Sequence, residues 1–350
     1  MTTTASWNVI GHDDAARHLQ RSIANRRVGH AYLIVGPEGV GRTTFALEFA
    51  RALLCLNRED SFACGSCASC RRIVRDASER NHPDLTVADV EWQTGLLGGT
   101  SGAARQRLSI DAIRWLRQDI VSRPILSRWK VQIVDDADRL SDTAPDAFLK
   151  TLEEPPGSAV IMLVTSSLES IPETIRSRCL HIQLGLVSNE DIVEALVERG
   201  VPDTEAASIA SIARGRAATA LRLTSDPDAI KRWREDVQEA FGYISEPLGR
   251  LRLAGPIAAN HTKNRERTFT VLNHCASLWR DALMLRAELP ESISNAELAG
   301  PLQEFATRFS ARQIAGALDA TRRAADDLDR NFQARIALLA MIDRWPDLID

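Results

Sequence analysis

The stretch AYLIVGPEGVGRTTFAL, residues 31–47, decides the fold class that this sequence predicts. Its first five residues are apolar, which is typical of a strand buried on both faces of a sheet. Gly36 and Gly41 then have the spacing of the phosphate-binding loop G-x-x-x-x-G-K-[ST], and residues 43–54 carry apolar side chains at helical spacing. A strand, a glycine loop and a helix in this order predict a site where backbone N–H groups and a helix N-terminus hold phosphate.

One position of this loop departs from the pattern, because Arg42 stands where lysine is expected. Arginine is longer, planar and forked, so the exchange is not conservative where lysine meets phosphate closely. A glycine-rich turn without a ligand is the alternative interpretation. The residues that we expect around a nucleotide are Gly36, Gly39, Gly41, Arg42, Thr43 and Thr44.

Four more apolar runs of strand length follow the first one. They are residues 84–90, 130–136, 159–167 and 179–184. Strands that alternate with helical segments and lack polar faces favour a mainly parallel sheet covered on both faces. After residue 186 the strand patterns stop and helical ones continue to the end of the sequence; near that end we expect Leu328, Phe332, Ile336 and Leu339 to share one helix face.

Four of the six cysteines form a compact pattern, C-x8-C-x2-C-x2-C, at Cys55, Cys64, Cys67 and Cys70. Two-residue gaps let neighbouring thiolates converge on one ion, and four thiolates complete the tetrahedral shell of a structural zinc site. Four unrelated free cysteines are the alternative. We expect Cys179 and Cys275, which stand alone, to be core residues.

The net charge and the lack of long apolar segments bear on the partners and the location of the protein. The formal net charge is −4, so no overall basic field attracts the chain to nucleic acid. The first residues lack the apolar segment of a signal peptide, and no stretch approaches the ~20 apolar residues of a membrane span. These features predict a cytoplasmic protein.

Several segments together resemble the clamp-loader branch of the AAA+ ATPases. They are IGHDDA at 10–15, HAYLIVGPEGVGRTTFA at 30–46, the four-cysteine insert, VQIVDDADRLSDTAPDAFLKTLEEPP at 131–156 and IPETIRSRC at 171–179. The pair DAFLKTLEEPP and SRC is the most specific part. The resemblance covers roughly residues 8–225 well and the rest only in outline.

This resemblance implies three domains and a role in assembly. They are a RecA-like P-loop domain at 1–185 with the zinc module at 55–70, a helical lid at 186–225 and a helical collar at 226–350. The collar would join five subunits in a ring. The partners implied are motor (gamma/tau) subunits and a delta subunit and, through them, the sliding clamp and primed DNA. The SRC arginine, Arg178, would reach a neighbour's nucleotide as an arginine finger in trans.

The departures from the hydrolysing members of this family agree with one another. Asp135 matches the acid that holds magnesium, but Asp136 follows where hydrolysing members have glutamate, and Ala218 replaces an arginine of the lid. Aspartate is one methylene shorter and would hold a water ~1.5 Å out of place, and an error of ~1 Å can cost ~100-fold in rate. With Arg42, three replaced positions predict a ring member without ATPase activity of its own.

Two other interpretations stay open at this point. The chain could be an ATP-hydrolysing motor subunit in which Arg42 replaces lysine, or a zinc-bearing nucleotide sensor outside replication, against which the LEEPP and SRC motifs speak. As part of a DNA polymerase holoenzyme it would belong to a nucleotidyl-transferring complex without carrying a polymerase site. Whether ATP and Mg²⁺ bind silently at the loop is left open by the sequence.

Overall fold

The protein, seen here in a computed structural model, is described for residues 7, 9–58, 61–74, 80–97, 107–141, 144–226 and 228–348. The chain divides into two compact units. The first comprises Met1–Ala206 with Gly215–Leu221, and the second comprises Ala207–Arg214 with Arg222–Asp350.

The first unit is built on a parallel sheet. Its described strands are β1 (Ala31–Val35), β2 (Leu85–Ala88), β3 (Lys130–Val134), β4 (Ala159–Thr165) and β5 (Leu180–Gln183). Their order across the sheet is β2-β3-β4-β1-β5, and every neighbouring pair is parallel. This confirms the predicted parallel α/β class and places β1, with the glycine loop after it, between β4 and β5.

Helices precede, connect and follow the strands along the chain. They are α1 (Asp13–Ala24), α2 (Arg42–Leu54), α3 (Val90–Leu97), α4 (Ile110–Ile120), α5 (Ala144–Glu153) and α6 (Glu173–Arg176), followed by α7 (Asn189–Val197), α8 (Asp203–Ala213) and α9 (Ala217–Thr224). Successive side chains of a strand point to opposite faces. Ile34 therefore joins the cluster that contains Phe49 of α2, and Leu33 joins the cluster that contains Ile113 of α4 and Phe148 of α5. Both faces of the sheet are covered, as the apolar runs predicted.

The strands are shorter than their apolar runs, and β2 shows one reason. The sequence predicted a strand through Val90, whereas Val90 begins α3. The carboxylate of Asp89 accepts a hydrogen bond from the backbone N–H of Trp92 at 2.7 Å. An aspartate that caps the first turn in this way ends the strand and starts the helix.

The second unit is helical in its described residues. Besides residues 207–213 of α8 and 222–224 of α9, its helices are α10 (Ala229–Ser245), α11 (Pro247–Arg252), α12 (Ala258–Asn260), α13 (Arg265–Arg286), α14 (Ala299–Thr307), α15 (Ala311–Asp329) and α16 (Ala334–Asp343). Trp279 of α13 is completely buried and contacts the rings of Phe305 and Trp345. The expected helical C-terminal region is therefore present, with a core of its own around α13.

The predicted helix face near the C-terminus is wrong. Leu328 is completely buried on α15, whereas Phe332, Ile336 and Leu339 are 61%, 63% and 48% exposed. The helix breaks between α15 and α16, where Asn331 takes a left-handed conformation with φ 63°. The 3.6-residue period does not continue across such a break, so Leu328 points away from the three residues that follow it.

No helix in the described part of the chain combines the length and the apolar character that crossing a membrane requires.

Candidate functional site: a phosphate-type loop, a cysteine cluster and an anchored arginine

The glycine loop lies between β1 and α2, as predicted. Gly39 and Gly41 have φ of 80° and 104°, in the left-handed region that favours glycine. A Cβ on Gly36 would lie 2.5 Å from the carbonyl oxygen of Leu184, so the backbone of β5's end leaves no room for a side chain there. These glycines are required by conformation and by close packing, and they bring the loop to the N-terminus of α2.

Arg42 begins α2 and is buried, with 8% of its side chain exposed. Its Nη2 lies 3.9 Å from Asp136 Oδ1. Its Nη1 is buried and has no hydrogen-bond partner among the described residues. Buried guanidinium groups normally have partners for their N–H donors. The arginine therefore brings an unsatisfied positive donor to the end of the helix where anions bind.

Thr43 and Asp135 meet beside this arginine. Thr43 Oγ1 donates to the Asp135 carboxylate, at 3.0 Å from Oδ1 and 2.8 Å from Oδ2. Burial raises the pKa of Asp135 above its ordinary value, and the neighbouring Asp136 carboxylate adds to the effect. Thr44 follows in the same turn, half-buried. A hydroxyl and a carboxylate that converge in this way are oxygen ligands of the kind that Mg²⁺ takes with a nucleotide.

Asp136 is held in a left-handed conformation, with φ 48°. Burial raises its pKa, opposed by the positive charge of Arg139, whose Nε lies 3.6 Å from Oδ2. Its other oxygen faces Arg42. The carboxylate of Asp136 thus lies between the guanidinium groups of Arg42 and Arg139.

The residues present fit an anionic nucleotide with its metal ion only in part. The loop N–H groups, the orphaned Nη1 of Arg42 and the Thr43–Asp135 pair could contact phosphates and Mg²⁺. For a hydrolysing site we expected lysine, glutamate and arginine where this chain has Arg42, Asp136 and Ala218.

The N-terminus of α9 is attached directly to the glycine loop, which sequence patterns did not predict. The carbonyl oxygen of Gly39 accepts from the backbone N–H groups of Ala218 and Thr219, at 2.9 and 3.2 Å. Arg216 Nε donates to the carbonyl oxygen of Glu38 at 3.1 Å. Ala218 therefore does lie at the loop, but it contributes only a backbone donor, and the nearby Arg216 binds the backbone of the loop.

The four cysteines converge as predicted. The Sγ atoms of Cys55, Cys64, Cys67 and Cys70 all lie within 4.8 Å of one another. Four thiolates at the Zn–S distance of about 2.3 Å would be about 3.8 Å apart at the corners of a tetrahedron. Backbone N–H groups also point at the sulfurs: those of Cys64, Cys67 and Cys70 donate to the preceding cysteine's Sγ at 3.3 Å. The cluster therefore fits a tetrahedral metal ion.

Hydrogen bonds of Ser69 and His82 join the cysteine cluster to the rest of the first unit. Ser69 Oγ donates to the carbonyl oxygen of Leu54, at the end of α2, and lies 2.8 Å from His82 Nε2. Both residues are buried. The cluster therefore packs as part of the unit and begins where the loop helix ends.

Arg178 lies between α6 and β5, away from the hydrogen bonds of the glycine loop. Its Nη1 donates to the carbonyl oxygen of Thr174 and its Nη2 donates to Glu153 Oε1, both at 2.7 Å. About a third of its side chain, 36%, is exposed. None of its hydrogen bonds among the described residues goes to residues 36–44, so Arg178 does not complete the loop of its own chain here.

Known proteins share much of this sequence. Residues 11–187 match the family model described as DNA polymerase III, delta subunit. The match spans the glycine loop, the cysteine cluster, Asp135 and Arg178.

Individual relatives carry several subunit names. The DNA polymerase III subunit tau/gamma of Haemophilus influenzae is 29% identical over 70% of this chain and 33% of its own length. The gamma subunit of Buchnera aphidicola subsp. Acyrthosiphon pisum is 28% identical over 79% of this chain and 74% of its own. The delta' subunit of Pseudomonas aeruginosa is 30% identical over 65% of this chain and 64% of its own. The chain thus spans about a third of the tau/gamma relative.

Proposed function

The chain belongs to the DNA polymerase III, delta subunit family, and from this premise we propose that it is the delta-prime subunit of a clamp loader. In this role it is a ring member that does not hydrolyse ATP and that offers Arg178 to the nucleotide of a neighbouring subunit. The ring helps to load the sliding clamp onto primed DNA in the cytoplasm. Its partners are the motor (gamma/tau) subunits and the delta subunit.

The observation that carries the non-hydrolysing part is the contact between Arg42 and Asp136. Each replaces a residue of the hydrolysing pattern, and the two face each other at 3.9 Å. Asp136 is one methylene shorter than glutamate and lies beside two arginines, so it is a poor group to orient water. The position of the lid arginine is taken by Ala218, which has no charge to give to a phosphate.

The part played by Arg178 is supported by its exposure and its fixed position. An arginine that stabilises the charge of phosphoryl transfer in a neighbour must be reachable from outside its own chain. Arg178 follows the IPETIRS segment and precedes β5, which is an edge strand of the sheet, and 36% of its side chain is exposed.

The division into domains belongs to the same proposal. The ATPase-type domain is residues 1–185, the lid 186–225 and the collar 226–350. In the collar, the exposed apolar side chains of Phe332, Ile336 and Leu339 follow each other at spacings of four and three residues. Ile336 and Leu339 lie on α16 and Phe332 lies just before it, and exposed large apolar side chains so close together support a contact with another subunit.

Zinc in the cysteine cluster would be structural. Four thiolates leave no open ligand position for chemistry, and the metal would fix the segment between α2 and β2. Mg²⁺ and ATP would be held by Thr43, Asp135 and the loop without being turned over.

A motor subunit is the second candidate, and one observation favours it. The orphaned Nη1 of Arg42 is buried at the loop, where it could take over lysine's contact with phosphate. The similarity to gamma and tau proteins agrees with this candidate as well.

Reconstitution tests the two candidates against each other. The chain is mixed with gamma/tau and delta subunits, and complex formation is followed by size-exclusion chromatography. ATP turnover with clamp and primed DNA is then measured for the complex, for the mixture without this chain and for the chain alone. We expect one complex, full turnover only when the chain is present, and none from the chain alone. Turnover by the isolated chain would favour the motor, and failure to join the complex would contradict both.

A further inference from the structure

Arg178 is anchored at two sides by different elements. Its Nη1 donates to the carbonyl oxygen of Thr174 at 2.7 Å and to Ser177 Oγ at 3.4 Å, within the segment that leads to β5. Its Nη2 donates at 2.7 Å to Glu153 Oε1, which is 25 residues away and on α5. A guanidinium has five N–H donors, so two remain, Nε–H and one hydrogen of Nη2. No described residue accepts a hydrogen bond from Nε.

Glu153 lies at a helix position where a negatively charged side chain is unfavourable. Glu153 is the last residue of α5. The C-terminal end of a helix carries partial negative charge, so a negative side chain there is unfavourable and a positive one favourable. Arg178 supplies that positive charge. The carboxylate is thus stabilised by Arg178, and the arginine is oriented by the carboxylate.

We infer that Glu153 is a positioning residue for Arg178: it holds the guanidinium in one orientation so that its two remaining donors are presented outward to the neighbour's phosphate. This inference rests on the proposed role of Arg178 as a finger in trans. A free arginine loses rotamer freedom when it engages a ligand. When Glu153 and Thr174 already fix the side chain, less freedom is lost at the moment of reaction.

The ion pair between Glu153 and Arg178 is partly exposed and therefore weak, and a weak pair suits a positioning role. The side chain of Glu153 is 50% exposed and that of Arg178 is 36% exposed, so water screens the charges. A strongly buried pair would hold the arginine too firmly for it to adjust to a phosphate. An exposed pair orients the guanidinium and still lets it move by the small distance that engagement requires.

The chain offers a matched control in the next residue. Glu154 belongs to the same LEEPP segment and is exposed, and no described contact joins its side chain to Arg178. Glu153→Ala, Glu153→Gln, Glu154→Ala, Arg178→Ala and the double variant Glu153→Ala/Arg178→Ala are each reconstituted into the loader. The kcat and KM for ATP are measured with clamp and primed DNA, and assembly is checked by size-exclusion chromatography.

We expect Glu153→Ala to lower kcat by about two- to five-fold, the range that an exposed charged pair can supply, with KM unchanged. Glu153→Gln should lose less, because its amide oxygen can still accept from Nη2. Glu154→Ala should match the wild type. The double variant should be no slower than Arg178→Ala alone, because Glu153 acts only through that arginine.

Three results would overturn the inference. Glu153→Ala could leave kcat unchanged while Arg178→Ala lowers it; the finger would then stand without its positioning residue. Glu153→Ala could raise kcat, which would mean that the pair restrains the arginine. Glu153→Ala could also lower kcat further when Arg178 is already alanine, which would show that Glu153 does not act through Arg178. If Arg178→Ala itself changes nothing, the proposed function fails first and the inference fails with it.

Discussion

Arg42 Nη2 lies 3.9 Å from Asp136 Oδ1, so the guanidinium at the start of α2 faces the second of the two acids that follow β3. A lysine would carry its charge as a compact ammonium, whereas the guanidinium of Arg42 is planar and forked. Its Nη2 faces Asp136, and its Nη1 is buried without a hydrogen-bond partner among the described residues. The proposal of a site that does not hydrolyse ATP depends on this pair.

The first prediction concerns ATP turnover by the isolated chain. We expect none for the wild type and none for Arg42→Lys or Asp136→Glu alone. Each single change leaves the other departure in place, and Ala218 still supplies no charge. Phosphate release at saturating Mg·ATP is the measurement, with a gamma-type motor subunit as positive control. Turnover by the wild type that disappears in Arg42→Ala would contradict the prediction.

The second prediction concerns metal in the cysteine cluster. The purified chain should contain one zinc ion, and Cys67→Ser should contain much less because it removes one of the four thiolates. When the free zinc concentration is 100 times the Kd of the site, binding stabilises the fold by about 2.7 kcal/mol. Removing the zinc with a chelator should therefore lower the Tm by roughly 5 °C or more. Elemental analysis and thermal unfolding measure both effects.

Cys179→Ser is the matched control, because Cys179 lies outside the cluster. It should keep its zinc. Equal zinc content in Cys67→Ser and wild type would show that the cluster is not the site.

The third prediction concerns Asp84, which is completely buried at the start of β2. Its carboxylate accepts hydrogen bonds from the backbone N–H groups of Ile125, Leu126 and Ser127, at 2.6–2.8 Å. Burial opposes its ionisation, but these three donors lower its pKa below the ordinary value. Asp84→Asn should therefore cost about 2–3 kcal/mol of stability at pH 7, because hydrogen bonds to a charged acceptor are lost.

The pH dependence of this effect has a definite sign. A carboxyl group with a lowered pKa in the folded state stabilises the fold above its unfolded pKa, near pH 4, and this stabilisation is lost as the pH falls through the folded pKa. The difference between wild type and Asp84→Asn in urea unfolding should shrink below about pH 4. Asp111→Asn, at an exposed pair with Arg114, should change stability by less than about 0.5 kcal/mol. A constant difference across the pH range would exclude the carboxylate as its cause.

The fourth prediction concerns the exposed apolar side chains of Phe332, Ile336 and Leu339 in the second unit. Phe332→Asp and Ile336→Asp should leave the Tm nearly unchanged, because both side chains are more than 60% exposed. They should weaken assembly with the motor and delta subunits, because a charge would have to be buried in the contact. Size-exclusion chromatography of the reconstituted mixture measures this.

Leu289→Asp offers a comparison at another exposed leucine of the same unit. It should assemble normally. If Leu289→Asp and Phe332→Asp weaken the complex equally, the weaker assembly is not specific to the exposed side chains of Phe332, Ile336 and Leu339.

Much of the sheet unit could be predicted because its signals are local. The runs AYLIV and AVIMLVT have no polar face, and both are buried strands in the centre of the sheet. The cysteine pattern brought four sulfurs together because short gaps constrain short segments. Gly36 and Gly41 mark a loop whose conformation requires glycine or excludes side chains.

What could not be predicted depends on contacts between distant residues. Nothing near Glu153 in the sequence indicates a partner 25 residues later, and nothing near Gly39 indicates that α9 donates to its carbonyl oxygen. The prediction of one helix face near the C-terminus was wrong for a different, local reason. A single left-handed residue, Asn331, ended the helix inside an apolar pattern that continued.

The proposed role of Arg178 as an arginine finger in trans is tested by the steady-state ATPase of the reconstituted loader with Arg178→Ala, measured with clamp and primed DNA. The isolated chain is assayed beside it, and Arg128→Ala, at another exposed arginine of the same unit, is the control. We expect no turnover by the isolated chain, unchanged turnover with the control and a loss of about ten-fold or more in the complex with Arg178→Ala, since an arginine finger can contribute more than that. Unchanged turnover with Arg178→Ala, together with hydrolysis by the isolated chain, would contradict the account and identify the protein as a motor.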